Sequence, residues 1–490
     1  MVMLGHGLCN FSINYRKVSQ LVKSGSIMAS NYEKAVETLN KLQSNAEYIK
    51  QAKIRNNPQN NLLEMEKFLN RSGLYFDQLD KLPVIHITGT NGKGTTCSYC
   101  ENILRNHGYK TGFFSSPHLI EVRERIRLNG IPISQDDFAK HFWRIYNQLD
   151  KVKSASYDMP LYFRFLTLMA LHIFISAQVD VAILEVGIGG EYDCTNIVRK
   201  TLVAGITPLD IDHTLLLGNS IESIAWNKAG IMKPNAEVFC VQQPEAAMKV
   251  LKDRSKERKC NFHVVEDHYT YNKVSRIPLH VLRTNASLSL SISEAFMKLR
   301  PNHNKFNLEM AKQSIEHTQW PGRYEIIPRN NSVFYLDGAH TEDSMQVCSD
   351  WFLSKTGQDN RKRVLIFNVI GQRDPEKLLI ILLKCDFDIA IFTTNNFDDD
   401  YLKNAVNKNT ADNKDVINPA PYHKERCSEN AKVWQYLNSS ATVHMFESFP
   451  QAVKFLENHT DTQFNVLVTG SIHLLGAALF VLDRTLKGLL

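Results

Sequence analysis

The sequence predicts an α/β protein of two domains, each built on a mainly parallel sheet covered by helices on both faces. Three observations predict it. From residue 82 onward, short and nearly unbroken apolar segments alternate with segments of helical length. A glycine-rich loop, Gly89-Thr90-Asn91-Gly92-Lys93-Gly94-Thr95-Thr96, joins the first such strand to the helix after it. The strand–helix series then restarts after Trp320-Pro321-Gly322-Arg323. With 490 residues, 43% hydrophobic and 22% charged, the chain can bury two or three cores. Disordered, collagen-like and disulfide-framework classes are excluded. A formal charge of +6 suits polyanionic ligands but is modest for a nucleic-acid binder, and no basic run carries interleaved aromatics.

The elements follow in order. The first acidic residue is Glu33, and before it Arg16, Lys17 and Lys23 stand among serines and apolar residues. Such an acid-free, basic stretch over 1–28 reads as a mitochondrial leader; the bland alternative is an N-terminus with no role. A second start at Met28 would give a cytoplasmic form beside the mitochondrial one, which belongs in the matrix or at the inner membrane. Residues 32–74 read as helical with a break at Asn56-Asn57-Pro58. Residues 82–88 form a strand, 95–106 a helix stopped by Gly108, and 110–114 a strand. Ser134 with Asp137 three residues on marks a helix start. Residues 161–177 are the most apolar helix, but Arg164 and His172 interrupt it, and a membrane span needs roughly 18 clean apolar residues. Strands at 179–186 and 202–207 complete the first series. In the second, strands at 333–336, 364–368, 389–393 and 465–469 alternate with helices at 344–354, 375–383 and from Ser471, and 395–414 is a polar loop. Nine cysteines at irregular spacing point to reduced thiols, and the Cys97/Cys100 pair, without a second pair, reads as helix packing.

The glycine-rich loop is where chemistry enters. Glycines let backbone N–H groups turn inward, the helix N-terminus adds partial positive charge, and Lys93 supplies a point charge for phosphates. The common phosphate loop has a glycine five residues before Gly92; that position is Ile87, so this is a shorter variant.

Read with Phe114-Ser115-Ser116-Pro117-His118-Leu119 and Glu185-Val186-Gly187-Ile188-Gly189-Gly190, the loop resembles the Mur ligase superfamily. Asp193-Cys194-Thr195-Asn196, Asp212-His213, Trp320-Pro321-Gly322-Arg323, Leu336-Asp337-Gly338-Ala339-His340 and Thr469-Gly470-Ser471 narrow the resemblance to folylpolyglutamate synthases, and Tyr162-Phe163-Arg164-Phe165-Leu166-Thr167 to their eukaryotic type. The resemblance implies an ATP- and folate-binding Mur-ligase-type domain at 29–323 and a Rossmann-like glutamate-ligase domain at 324–490. It implies an ATP-dependent ligase that adds L-glutamate to the γ-carboxylate of reduced folates through an acyl phosphate, serving one-carbon metabolism. ATP is co-substrate, and Mg²⁺, two ions, is the metal, with a monovalent cation beside them. The partners are small molecules, and the chain acts as a monomer.

Residue by residue, the resemblance makes Ser116, Glu185 and His213 metal ligands, and hydroxyl and carboxylate oxygens do suit Mg²⁺. Lys228 matches a lysine that is carbamylated in relatives; a surface helix lysine is the alternative. Thr90, Asn91, Gly92, Lys93, Gly94, Thr95, Asn285, Arg323 and Asp337 would hold ATP. Lys93, Glu185, His213 and Lys228 would be catalytic. Asp337, His340, Ser471 and His473 match positions linked to the incoming glutamate. Arg123 and Arg125 are candidates for the glutamate-tail carboxylates, with solvated arginines as the alternative.

The pattern has departures. Asp210 stands where the family has glycine, which predicts either a tuned metal site or a left-handed residue strained by about 1–2 kcal/mol. Val281 and Leu282 replace a His-Gln pair in the nucleotide region, and Glu191 replaces a small residue or arginine. They keep two other readings open: a catalytically weakened nucleotide-binding paralogue, and dihydrofolate synthase activity.

Overall fold

A computed structural model describes residues 30–44, 60–155, 158–266, 280–301, 305–369, 373–395, 420–438 and 440–483. The leader over 1–28, the start at Met28, the break at Pro58 and residues 396–414 of the polar loop lie outside the described residues.

The first lobe opens with helices α1 (Asn31–Ser44), α2 (Asn60–Arg71) and α3 (Phe76–Leu79). It continues through β1 (Val84–Thr88), α4 (Lys93–Asn106), β2 (Thr111–Phe114), β3 (Ile126–Leu128), β4 (Ile131–Pro132), α5 (Gln135–Val152) and α6 (Tyr162–Ala177). Then come β5 (Val181–Glu185), β6 (Val203–Ile206), α7 (Thr214–Leu217), α8 (Ile221–Lys228), β7 (Glu237–Val241), α9 (Glu245–Arg258), β8 (Asn261–Val265), α10 (His280–Leu299) and α11 (Leu308–Glu316). The second lobe begins at β9 (Glu325–Arg329) and β10 (Ser332–Leu336), then α12 (Glu342–Thr356), β11 (Lys362–Phe367), α13 (Pro375–Leu382) and β12 (Ile389–Thr393). It ends with α14 (Ala420–Leu437), β13 (Thr442–Phe446), α15 (Phe449–Glu457), β14 (Phe464–Thr469) and α16 (Ile472–Leu482).

The first sheet has the order β4-β3-β2-β5-β1-β6-β7-β8, and the second β13-β12-β11-β14-β10-β9. Every residue of β1 and of β5 is buried, which is why both read as unbroken apolar runs. The expected parallel order needs correction at the edges. β3 and β4 pair antiparallel beyond β2, and β9 runs antiparallel to β10. These edge strands, and β8 and β13 at the opposite edges, alternate exposed and half-buried residues or are very short, so they carry no long apolar run for a sequence reading to find.

Local rules hold where they were legible. The Ser134 hydroxyl accepts from the Asp137 N–H at 3.0 Å and caps α5. That helix lays Phe138, Phe142, Ile145 and Leu149 on one face, the spacing of an amphipathic helix. They pack with Phe165 and Phe174 of α6 in the largest core cluster. On the opposite face of the sheet, α4 and α10 bury Cys97, Cys100, Leu288 and Ile292, so both cysteines are packing residues.

The lobes share a core. Leu119 and Ile120 leave the first lobe on the loop after β2 and sit among Leu474, Leu475 and the strands of the second sheet. Truncating Ile120 to alanine would open a cavity at this junction, and we expect a loss of about 2–4 kcal/mol in urea unfolding. A loss under about 0.5 kcal/mol, the range of a neutral surface change, would mean that the junction relaxes without cost.

Candidate active site

The chain reaches β1 from the middle of the sheet and then builds strands on both sides of it, with β5 on one flank and β6 on the other. A crevice opens at such a point beyond the carboxyl ends of the strands. A continuous cavity of about 2360 Å³ lies there and extends between the lobes. A single small-molecule site occupies roughly 300–1,000 Å³, so this one has room for several ligands at once.

The loop from Gly89 to Thr95 forms its floor. Gly89 has φ 149°, and a Cβ there would stand 1.8 Å from the Thr207 hydroxyl, so only glycine lets the loop pass β6. Gly92, at φ 85°, turns the chain into α4. Lys93 Nζ donates to the carbonyls of Gly89 at 3.0 Å and Thr90 at 3.1 Å. Thr90 Oγ1 donates to the Asp210 carbonyl and accepts from its N–H, both at 3.0 Å, tying the loop to the segment after β6. Asn285 Oδ1 is buried against Gly92 with no hydrogen-bond partner among the described residues, an acceptor waiting for a donor.

Beside the loop, Glu185 ends β5 with 4% of its surface exposed. One carboxylate oxygen accepts from the Ser116 N–H at 3.0 Å. Burial raises its pKa, opposed by the nearby Lys93. A divalent ion would relieve that cost. Among the described residues no three His, Cys, Asp or Glu side chains gather as a metal cluster. An ion here would draw on phosphate oxygens and water beside the candidate ligands Ser116, Glu185 and His213, which all line the cavity. His213, at φ 53°, sits with Nε2 3.6 Å from Asp212 Oδ2.

Lys228 overturns the surface-lysine alternative. It is 3% exposed, and its Nζ donates to the Gly89 carbonyl at 2.6 Å, the same oxygen Lys93 uses. Burial and the neighbouring Lys93 ammonium push its pKa well below the ordinary lysine value.

The second lobe supplies the opposite wall. Asp337 is buried, its oxygens accepting from Ala339 N–H at 3.0 Å and Tyr324 N–H at 3.3 Å. Burial raises its pKa to about 6, against the pull of Arg323. His340 and Arg373 reach across to Asp212 of the first lobe, at 3.9 Å and 3.6 Å from Oδ2. Burial and Arg373 hold His340 neutral. Ser471 caps α16 by accepting from His473 N–H at 3.2 Å, and both residues line the cavity. Thus, with the exception of Arg123, the structure brings the residues expected at the site to one cavity.

Three expectations change. Asp210 does not adopt positive φ, so it carries no left-handed strain. Arg123 and Arg125 are not solvated: both are buried, Arg123 bonded to Glu121 and the Ile133 carbonyl. Arg125 Nε lies 2.8 Å from His118 Nδ1, its guanidinium packs on Tyr162, and it lines the cavity where Arg123 does not. Glu191 is bound by Arg254 and Arg258 of α9, which explains a carboxylate there. Val281 and Leu282 line the cavity one turn before Asn285. Sequence reasoning missed Arg373; its place in the loop after β11, at the carboxyl edge of the second sheet, was the available signal.

No family model matches the chain. A Homo sapiens protein named folylpolyglutamate synthase, mitochondrial, is 42% identical over 441 residues, covering 83% of this chain and 74% of that one. The Bos taurus protein of the same name is 38% identical over 550 residues, covering 93% of each. Among solved structures, Mycobacterium tuberculosis folylpolyglutamate synthase complexed with ADP superposes with a TM-score of 0.70 at 25% identity, covering 87% of this chain and 95% of that one.

Asp337 makes stability depend on pH. Its folded pKa of about 6 stands above the ordinary aspartate value of 3.8, so the native state binds the extra proton between these values and stability falls as pH rises through the window. Asparagine does not titrate. Between pH 4 and 7, the stability of Asp337→Asn should therefore gain on the parent by up to about 3 kcal/mol, read by urea unfolding. Parallel pH curves for the two proteins would refute this.

Proposed function

The chain belongs to the folylpolyglutamate synthase family, and on that premise we propose that it is an ATP-dependent ligase adding L-glutamate to the γ-carboxylate of reduced folates. The observation that carries this reading is the junction of a phosphate-binding loop with the buried carboxylate of Glu185 and two lysines at one carbonyl. We read 29–323 as the nucleotide- and folate-binding lobe and 324–490 as the glutamate-ligase lobe, acting as a monomer. No helix among the described residues is long and apolar enough to cross a membrane. The relatives named mitochondrial support a mitochondrial form, and we read a second start at Met28 as the source of a cytoplasmic form.

A carboxylate is a poor electrophile. In the proposed reaction, an oxygen of the folate γ-carboxylate attacks the γ-phosphorus of ATP, and the bond to the ADP oxygen breaks. The amine of glutamate then attacks the acyl phosphate carbon, the amide forms, phosphate leaves, and a proton is lost from nitrogen. The barrier lies in gathering anions and offsetting charge on the moving phosphoryl group.

Backbone N–H groups of the loop from Thr90 to Thr95 cradle the phosphates, with Lys93 released from its carbonyls to meet them. Asn285, Arg323 and Asp337 contact the nucleotide. Ser116, Glu185 and His213 would hold Mg²⁺, which supplies charge neutralisation between nucleotide and acceptor when bound. Lys228, its pKa lowered by burial, can take up CO₂ as a carbamate with loss of a proton to solvent, turning an amine into an oxygen ligand. The incoming glutamate fits between His340, Ser471 and His473, with Arg373 opposite its α-carboxylate. The intact phosphate and carboxylate set supports this reading over a weakened paralogue. Dihydrofolate synthase activity is separated by assaying dihydropteroate as acceptor.

Lys93→Ala removes the phosphate counter-charge and should lower kcat by at least about 10³-fold, and Glu185→Gln comparably. Normal turnover in either purified variant would sink the site assignment. With γ-carboxylate-¹⁸O tetrahydrofolate, one label should appear in the released phosphate, read by mass spectrometry. Label retained wholly in the folate product would exclude the acyl phosphate.

A further inference from the structure

The cavity has an apolar rim that neither phosphate binding nor metal binding uses. α7 is a short turn directly after His213, bounded by positive φ at His213 (53°) and Gly218 (89°). Its three leucines divide unequally. Leu217 is buried against the loop after β5, with Cδ2 2.8 Å from where a Cβ on Gly189 would stand. Leu215 and Leu216 are 74% and 64% exposed, and both line the cavity. Ile188 and Ile211, 40% and 45% exposed, line it as well. Single exposed leucines are ordinary, but four exposed aliphatic side chains lining one cavity that also holds buried charges favour a ligand surface.

We propose that Leu215 and Leu216 form the platform for the p-aminobenzoyl ring of the folate when it carries a single glutamate. The proposal rests on the ligase reading above. The γ-carboxylate must reach the phosphate loop, and in a monoglutamate only one glutamyl residue separates it from the aromatic ring. The ring then falls within a residue or two of the catalytic corner, where α7 follows His213 immediately. An aromatic body there covers the exposed leucines and is desolvated by them. Continuity with the cavity selects this occupant over a partner protein.

The placement has a consequence for chain length. Each added glutamate moves the ring outward by one residue while the new terminal γ-carboxylate takes the same reacting position. In a triglutamate, charged glutamyl units lie over α7 and the leucines contribute little.

The test uses the full-length protein with the double substitution Leu215→Ser, Leu216→Ser, at saturating ATP and glutamate. KM for tetrahydrofolate monoglutamate should rise about tenfold or more, and KM for the triglutamate less than about twofold. KM for ATP and for glutamate, and the melting temperature, should stay at parent values, because both side chains are exposed. Equal rises for the two folates would make α7 a general lid and overturn the proposal, as would no rise for either. A dimer in the parent that the variant converts to monomer, seen by sedimentation, would assign the rim to a second copy instead. Failure of the ligase reading looks different: the parent itself would extend neither folate.

Discussion

Two lysines, Lys93 and Lys228, donate to one carbonyl oxygen, that of Gly89, at the floor of the crevice. Burial, and after it the charge of the nearby Lys93, lower the pKa of the deeper lysine. The rest of the site answers this local excess of positive potential. Glu185 stands on one side of the loop, and triphosphate oxygens would complete the neutralisation. Without anions the corner is an electrostatic expense, and with them it is a binding site.

That corner imposes demands on the fold. A carboxylate at the end of a fully buried strand needs covered faces on both sides, which the α5–α6 layer and the α4–α10 layer provide. The lobes must also stay in register, because Arg323, Asp337 and His340 come from the junction and the second lobe. Leu119 and Ile120 answer that demand by rooting the loop that carries Ser116 in the second lobe's core. Asp212, between His213, His340 and Arg373, adds a polar tie across the cleft. The loop bearing a candidate metal ligand is therefore positioned by both lobes at once.

Much of this was legible before the coordinates. Buried central strands betray themselves as apolar runs, glycine at Gly89 and Gly92 marks backbone that no side chain could follow, and Ser134 announces its own helix. Edge strands were not legible: β3, β4, β9 and β13 are short or half wet, and their pairing is set by neighbours far away in sequence. Arg125 illustrates the limit for side chains. An arginine in a loop looks solvated until Tyr162 of α6 and His118 of its own loop are found enclosing it.

The amino-acid order alone carried the fold class and the phosphate loop, since periodicity and loop composition are local properties of the chain; the remaining candidate site residues came from the family resemblance. Only the tertiary structure decided which of those residues are dry, which share an acceptor and which face one another across the lobes. Burial and convergence depend on segments up to hundreds of residues apart. The depressed pKa of Lys228, the raised pKa of Asp337 and the exposed leucines of α7 all arise from that long-range packing.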